Sequence, residues 1–135
     1  MNTKVMPLGR HNTKPALIID ANLYPRLLAL AEQARTHAPE IADQLLDEIE
    51  RADLRAEEEM PADVVTIGSE VTFRDGERTQ TVRIVLPRDA DVDHGRVSVL
   101  TPVGAALLGL SAGQQITWEM ADGRVKVIEV VDVRQ

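Results

Sequence analysis

The residues best spaced for chemistry are two acids three positions apart, Glu40 and Asp43. At that spacing two carboxylates share one face of a helix. Exposed at the tip of an arm, such a pair can hold a Mg²⁺ delivered by a partner. Acids also favour the first turn of any helix, where they meet the positive end of its dipole, so the pair has a purely structural reading as well. Metal chemistry is poorly supplied elsewhere. His11, His37 and His94 lie far apart, and none belongs to a paired-His or Glu-x-x-His spacing. The run DADVDHG over residues 89–95 begins like a calcium loop. Its sixth position is His94 where Gly is needed, and its twelfth is Leu100 where Glu is needed, so it reads as a polar loop between strands. The serines, Ser69, Ser98 and Ser111, stand outside any Gly-x-Ser-x-Gly elbow. Neither glycine-rich phosphate-cradling motif occurs. With no Cys there is no thiolate ligand or nucleophile and no disulfide. These absences predict a chain without a catalytic centre and without a cofactor.

The elements that would carry these residues fall into two halves. Leu23, Leu27, Leu30, Ala31 and Ala34 recur at three and four, which makes one helical stripe. Asn22 is the expected N-cap, with Pro25 in the first turn. His37 to Pro39 interrupts the pattern, and Pro39 can open the next helix. A second stripe follows at Ile41, Leu45, Ile49, Ala52 and Ala56, closed by Pro61. Two helices joined by so short a turn run antiparallel, giving a hairpin with Glu40 and Asp43 near its tip. At about 1.5 Å per residue the arm is about 22 Å long.

From residue 64 the period changes. Strands are predicted over 64–67, 71–74, 80–86, 97–100, 115–120 and 125–133, with hairpin turns at Asp75-Gly76 and Asp122-Gly123. A short helix is predicted over 102–110, with Val103, Ala106, Leu107 and Leu110 facing inward. In the last strand Val127, Val131 and Val133 fall on one face and Ile128 and Val130 on the other, which suits a central strand. The order gives an α+β domain with an antiparallel sheet. The chain therefore divides into a loose basic tail over 1–16, a short helical hairpin or coiled coil over 17–59, and a compact domain over 60–135.

Charge is unevenly spread along these parts. The formal net charge is −7. Residues 40–59 hold nine acids against two bases, and the rest of the chain holds thirteen of each, so the whole imbalance lies in one segment. It reads either as a solvated helix face or as a face steered toward a basic partner surface. Net acidity argues against strong direct nucleic-acid binding, which depends on Lys and Arg displacing counterions. Tyr24, Phe73 and Trp118 are too few aromatics for base-stacking platforms. Nothing in the sequence has the length of apolar run that a signal peptide or membrane span needs, which predicts a cytoplasmic protein.

Three runs carry a family resemblance: EEMPADVVTIGSEVTF at 58–73, VRIVLP at 82–87 and VSVLTPVGAALLGLSAGQQITWE at 97–119. They resemble the carboxy-terminal domain of the bacterial Gre transcription factors. The pairing of the first run with PVGAALLGL and WE is similar above all to the branch of that family that regulates nucleoside diphosphate kinase. The resemblance implies an FK506-binding-protein-like (FKBP-like) domain behind a short coiled coil. It implies binding to RNA polymerase at the rim of the secondary channel, in competition with Gre factors. It also implies a functional link to nucleoside diphosphate kinase level, by direct contact or through transcription. In Gre factors a serine–proline turn at the start of the short helix helps dock the domain on a polymerase coiled coil. The matching residues are Leu100, Thr101, Pro102, Val103 and Gly104, with Leu100 where a polar residue is usual and Thr101 in place of Ser. Gre factors stimulate transcript cleavage through acids at the tip of a much longer coiled coil. The resemblance therefore implies occupancy of the channel without cleavage, the alternative being cleavage assisted by Glu40 and Asp43. The fold also hosts prolyl isomerases, but Phe73 and Trp118 are too few to line their aromatic pocket, and fold analogy alone does not carry that activity.

Overall fold

A computed structural model of the chain describes residues 5–6, 17–119 and 124–135. The turn expected at Asp122-Gly123, and the expected tail apart from residues 5–6, lie outside the described residues. The expected tail nevertheless contributes a strand, β1 (Val5–Met6).

The helical pair forms where the stripes place it. α1 (Tyr24–Ala34) carries Pro25 in its first turn and buries Leu27, Ala31 and Ala34. Asn22 does not cap it. Leu23 occupies the N-cap without a side-chain bond, and the Asn22 amide instead donates to Asp20 Oδ1 at 2.8 Å, closing a turn one step earlier. α2 (Pro39–Arg51) opens on Pro39, with Glu40 in its first turn and Arg51 in its last, both signs suiting the helix dipole. It stops before Ala52 and Ala56, short of the predicted end. Ala52 is extended (ψ 151°), and β3 (Asp53–Arg55) pairs in parallel with β2 (Ile18–Asp20). The Asp53 amide donates to Leu17 O at 2.9 Å and the Ala21 amide to Arg55 O at 2.8 Å. Backbone pairing to a β-branched run thus overrides the helical preference of the alanines. The arm is correspondingly shorter: helices of 11 and 13 residues span roughly 16–20 Å at about 1.5 Å per residue.

The second half builds a six-stranded sheet in the order β1-β7-β8-β4-β5-β6. Its strands are β4 (Glu70–Asp75), β5 (Arg78–Val85), β6 (Arg96–Ser98), β7 (Gln115–Glu119) and β8 (Val125–Arg134), with α3 (Pro102–Leu107) between β6 and β7. The sheet is mixed, which corrects the antiparallel expectation. β4, β5, β7 and β8 pair antiparallel, but β6 runs parallel to β5 and β1 parallel to β7. β6 is parallel because residues 86–95 carry the chain back across one end of the sheet before it pairs. Residues 64–67 form no strand. Val64 makes one bridge to Ser111, and Val65 is held by Leu110 O and by the Gly109 amide. α3 ends at Leu107, three residues before the predicted end, where Gly109 turns with φ +82°.

One side-chain assignment changes for a clear reason. The β4–β8 register shifts between Thr72 and Phe73, so Val131 has no opposite residue. That bulge reverses the alternation beyond it. Val133 joins Ile128 and Val130 in the core, while Val127 and Val131 stay exposed at 40% and 45%.

The two halves share one core. Leu17, Ile19, Leu27, Leu45 and Ile49 cluster with Leu107, Leu108 and Leu110 of the α3 region and with Val71, Phe73, Ile84, Ile116 and Ile128 of the sheet. The Ile18 amide donates to Gly109 O at 3.2 Å, tying the base of the hairpin to the turn after α3. No helix among the described residues is long and apolar enough to cross a membrane.

Candidate functional site

The loop at Leu100–Gly104 is built by a short chain of hydrogen bonds from the end of β6. The Val99 amide donates to Val85 O at 2.9 Å, holding the loop against the end of β5. Ser98 Oγ accepts from the Leu100 amide at 3.0 Å. Thr101 Oγ1 donates to Ser98 O at 2.7 Å and accepts from the Gly104 amide at 3.0 Å. Thr101 is therefore the N-cap of α3, and Pro102 follows in the first turn, where its missing N–H costs nothing. Gly104 is required by close approach: a Cβ there would stand 2.1 Å from Ser98 O and 3.0 Å from Val99 Cα. The five residues present themselves unequally. Pro102 is exposed, Leu100, Thr101 and Val103 are half-buried, and Gly104 is buried. Leu100 and Val103 pack against the core, so only part of each faces outward.

Glu40 and Asp43 stand together at the start of α2, both exposed. The structure extends them into a longer feature. Asp47 and Glu50 continue the same face at three- and four-residue steps, also exposed, so α2 presents a stripe of four carboxylates to solvent. The spacing 40, 43, 47, 50 was the signal for it. The opposite side of α2 is less simply apolar than its stripe suggested. Gln44 is 4% exposed, and its Nε2 has no hydrogen-bond partner among the described residues. Glu48 is fully buried, so it does not belong to a solvated face. Among the described residues no group of three or more His, Asp or Glu side chains is arranged to hold a metal ion. His94 binds Asp91 through Nδ1 at 2.7 Å, which accounts for two members of the calcium-like run as an ordinary surface pair.

Residues 60–135 match the family described as "Transcription elongation factor, GreA/GreB, C-term". The chain belongs to the GreA/GreB transcription elongation factor family. Its relatives in and around that family differ in how much of their length it spans. It is 41% identical over 125 residues to the regulator of nucleoside diphosphate kinase of Escherichia coli (strain K12), covering 90% of each chain. It is 33% identical over 92 residues to the transcription elongation factor GreA of Syntrophotalea carbinolica, covering 67% of this chain but only 58% of that one. Among solved structures, a GreA/GreB elongation factor from Nitrosomonas europaea superposes with a TM-score of 0.72 at 35% identity, over 88% of this chain and 99% of that one. The α+β architecture of a helical pair and a mixed sheet is thus the architecture of a GreA/GreB-type structure.

Proposed function

We propose that the chain is a transcription regulator that binds RNA polymerase at the rim of the secondary channel, competes there with Gre factors and does not stimulate transcript cleavage. The observation that carries this reading is the short arm: helices of 11 and 13 residues behind a GreA/GreB C-terminal domain. In this reading the domain of residues 60–135 docks through Leu100–Gly104, and the hairpin of residues 17–59 blocks the channel mouth. An arm of roughly 16–20 Å, from the helical rise, ends well short of the depth at which tip acids could share a catalytic Mg²⁺. Glu40 and Asp43 then serve to orient the arm in a basic channel, with Asp47 and Glu50 on the same face.

The relative named a regulator of nucleoside diphosphate kinase supports a link between this chain and the level of that kinase. Channel occupancy gives that link a transcriptional route. The test is a titration of stalled elongation complexes with the chain, reading Gre-stimulated cleavage and intrinsic cleavage side by side. The reading requires inhibition of the first with no stimulation of the second. Stimulation that disappears in Glu40→Ala/Asp43→Ala would establish the cleavage-factor reading instead.

A further inference from the structure

The loop Leu100–Gly104 does not stand alone. β5 and β6 run parallel, with Val85 beside Ser98, so the residues that leave them emerge at the same end of the sheet. Leu86, Pro87 and Arg88 therefore adjoin the loop that begins at Val99. Across from them lies α1, which presents Arg26 and Leu30, one helical turn apart. Between these walls is an open cleft of about 310 Å³ lined by Arg26, Leu30, Leu86, Pro87 and Arg88.

Its chemistry is cationic: two arginines line one apolar cleft. Six cations among the described residues pair with a neighbouring carboxylate: Arg35 with Glu32, Arg55 with Asp53, Arg74 with Glu129, Arg83 with Glu70, Lys126 with Asp75 and Arg134 with Asp132. Arg26 and Arg88, both exposed, form no ion pair among the described residues. Two unpaired guanidinium groups thus flank an apolar floor, one on the hairpin and one on the domain, in a protein whose net charge is −7. Guanidinium is the group best shaped to take a carboxylate in two parallel hydrogen bonds, and it loses less hydration in doing so than an ammonium.

We propose that this cleft receives an acidic side chain of the docking partner, carried on a protein segment whose flanking apolar residues seat on Leu30, Leu86 and Pro87. The inference rests on the polymerase-binding reading and adds to it what the partner surface must contain. The contact has two parts, an apolar one at Pro102 and a carboxylate gripped between Arg26 and Arg88. Because one arginine belongs to α1 and the other to the turn after β5, the same carboxylate bridges hairpin and domain and fixes the angle at which the arm leaves the docking site.

The cleft and the acidic stripe of α2 make opposite demands, which gives a clean test. Binding of the full chain to core RNA polymerase is measured for the wild type, Arg26→Glu/Arg88→Glu and Arg26→Lys/Arg88→Lys. Circular dichroism and thermal unfolding establish that each exposed-site variant is folded. If overall acidity alone drives binding to a basic surface, the Glu variant, four charges more negative, binds at least as tightly as the wild type. A gripped carboxylate instead requires that the Glu variant bind at least about tenfold more weakly. It also requires an intermediate loss in the Lys variant, which keeps charge but not the planar fork. Unchanged or tighter binding by the folded Glu variant overturns the cleft assignment and leaves the polymerase reading standing. Absence of binding by the wild type overturns both.

Discussion

Thr101 and Gly104 carry the geometry of the candidate docking loop, and each has a measurable consequence. Gly104→Ala forces a Cβ to within 2.1 Å of a backbone carbonyl, an atom that no side-chain rotation can move. Overpacking of this kind costs about 1–3 kcal/mol. We expect a loss in that range in urea unfolding, together with weaker polymerase binding as the loop is pushed outward. Thr101→Ala removes both the cap of α3 and the bond to Ser98 O, with an expected loss of about 1 kcal/mol. Thr101→Ser keeps the hydroxyl and is expected to stay within about 0.5 kcal/mol of the wild type by the same measurement. The helix start at Pro102 was legible in the sequence; the capping role of Thr101 emerges from the structure. The reason for Gly104 was not legible either. Its contact is with Ser98 and Val99, which approach only because β6 has paired with β5, and no local pattern encodes that approach. Glu48 is a second case. Its charge placed it with the exposed acids, and only the packing around α2 shows that it is buried.

At the scale of elements, long periodic segments were readable, and of the shortest strands only β6 was. The leucine and alanine stripes located both helices, and Asp75-Gly76 located the β4–β5 hairpin. The strands β2 and β3 escaped because three residues give too short a window for any period, and because the alanines after Arg51 extend a helical stripe that backbone pairing cuts off. The bulge that sends Val133 inward was invisible for a related reason: strand parity is fixed by the partner strand, not by the strand itself. The acidic face of α2 can be tested as an element. Replacing Glu40, Asp43, Asp47 and Glu50 by Gln removes four exposed charges that form no ion pair among the described residues. Stability should change by no more than about 0.5 kcal/mol per site, as for most surface substitutions. The salt dependence of polymerase binding should flatten, because these charges act at long range and are screened over about 10 Å at 0.1 M salt. An unchanged salt dependence would remove the steering role of the stripe.

The whole molecule is held by a core that crosses the boundary between its halves. Leu17, Ile19 and Ile49 pack with Leu107, Leu108 and Leu110, and Gly109 accepts the Ile18 amide. Residues 60–135 match the family on their own, yet removing residues 1–59 uncovers the leucines around α3. That fragment is expected to unfold at a lower temperature than the full chain and to bind an apolar dye, both readable in a melting experiment. Division of labour between hairpin and domain is therefore best probed by surface substitutions in the intact chain. The hairpin is closed at its base by β2 and β3 and tied to the domain at Gly109, the kind of fixed attachment that the proposed steric block requires. The most direct test of that account is competition on core RNA polymerase. A labelled Gre factor is bound at saturation and displaced with increasing amounts of the chain, while transcript cleavage is followed in the same stalled complexes. The account requires stoichiometric displacement with cleavage falling to the level of polymerase alone. Simultaneous binding of both proteins, or cleavage above that level with the chain alone, would contradict it.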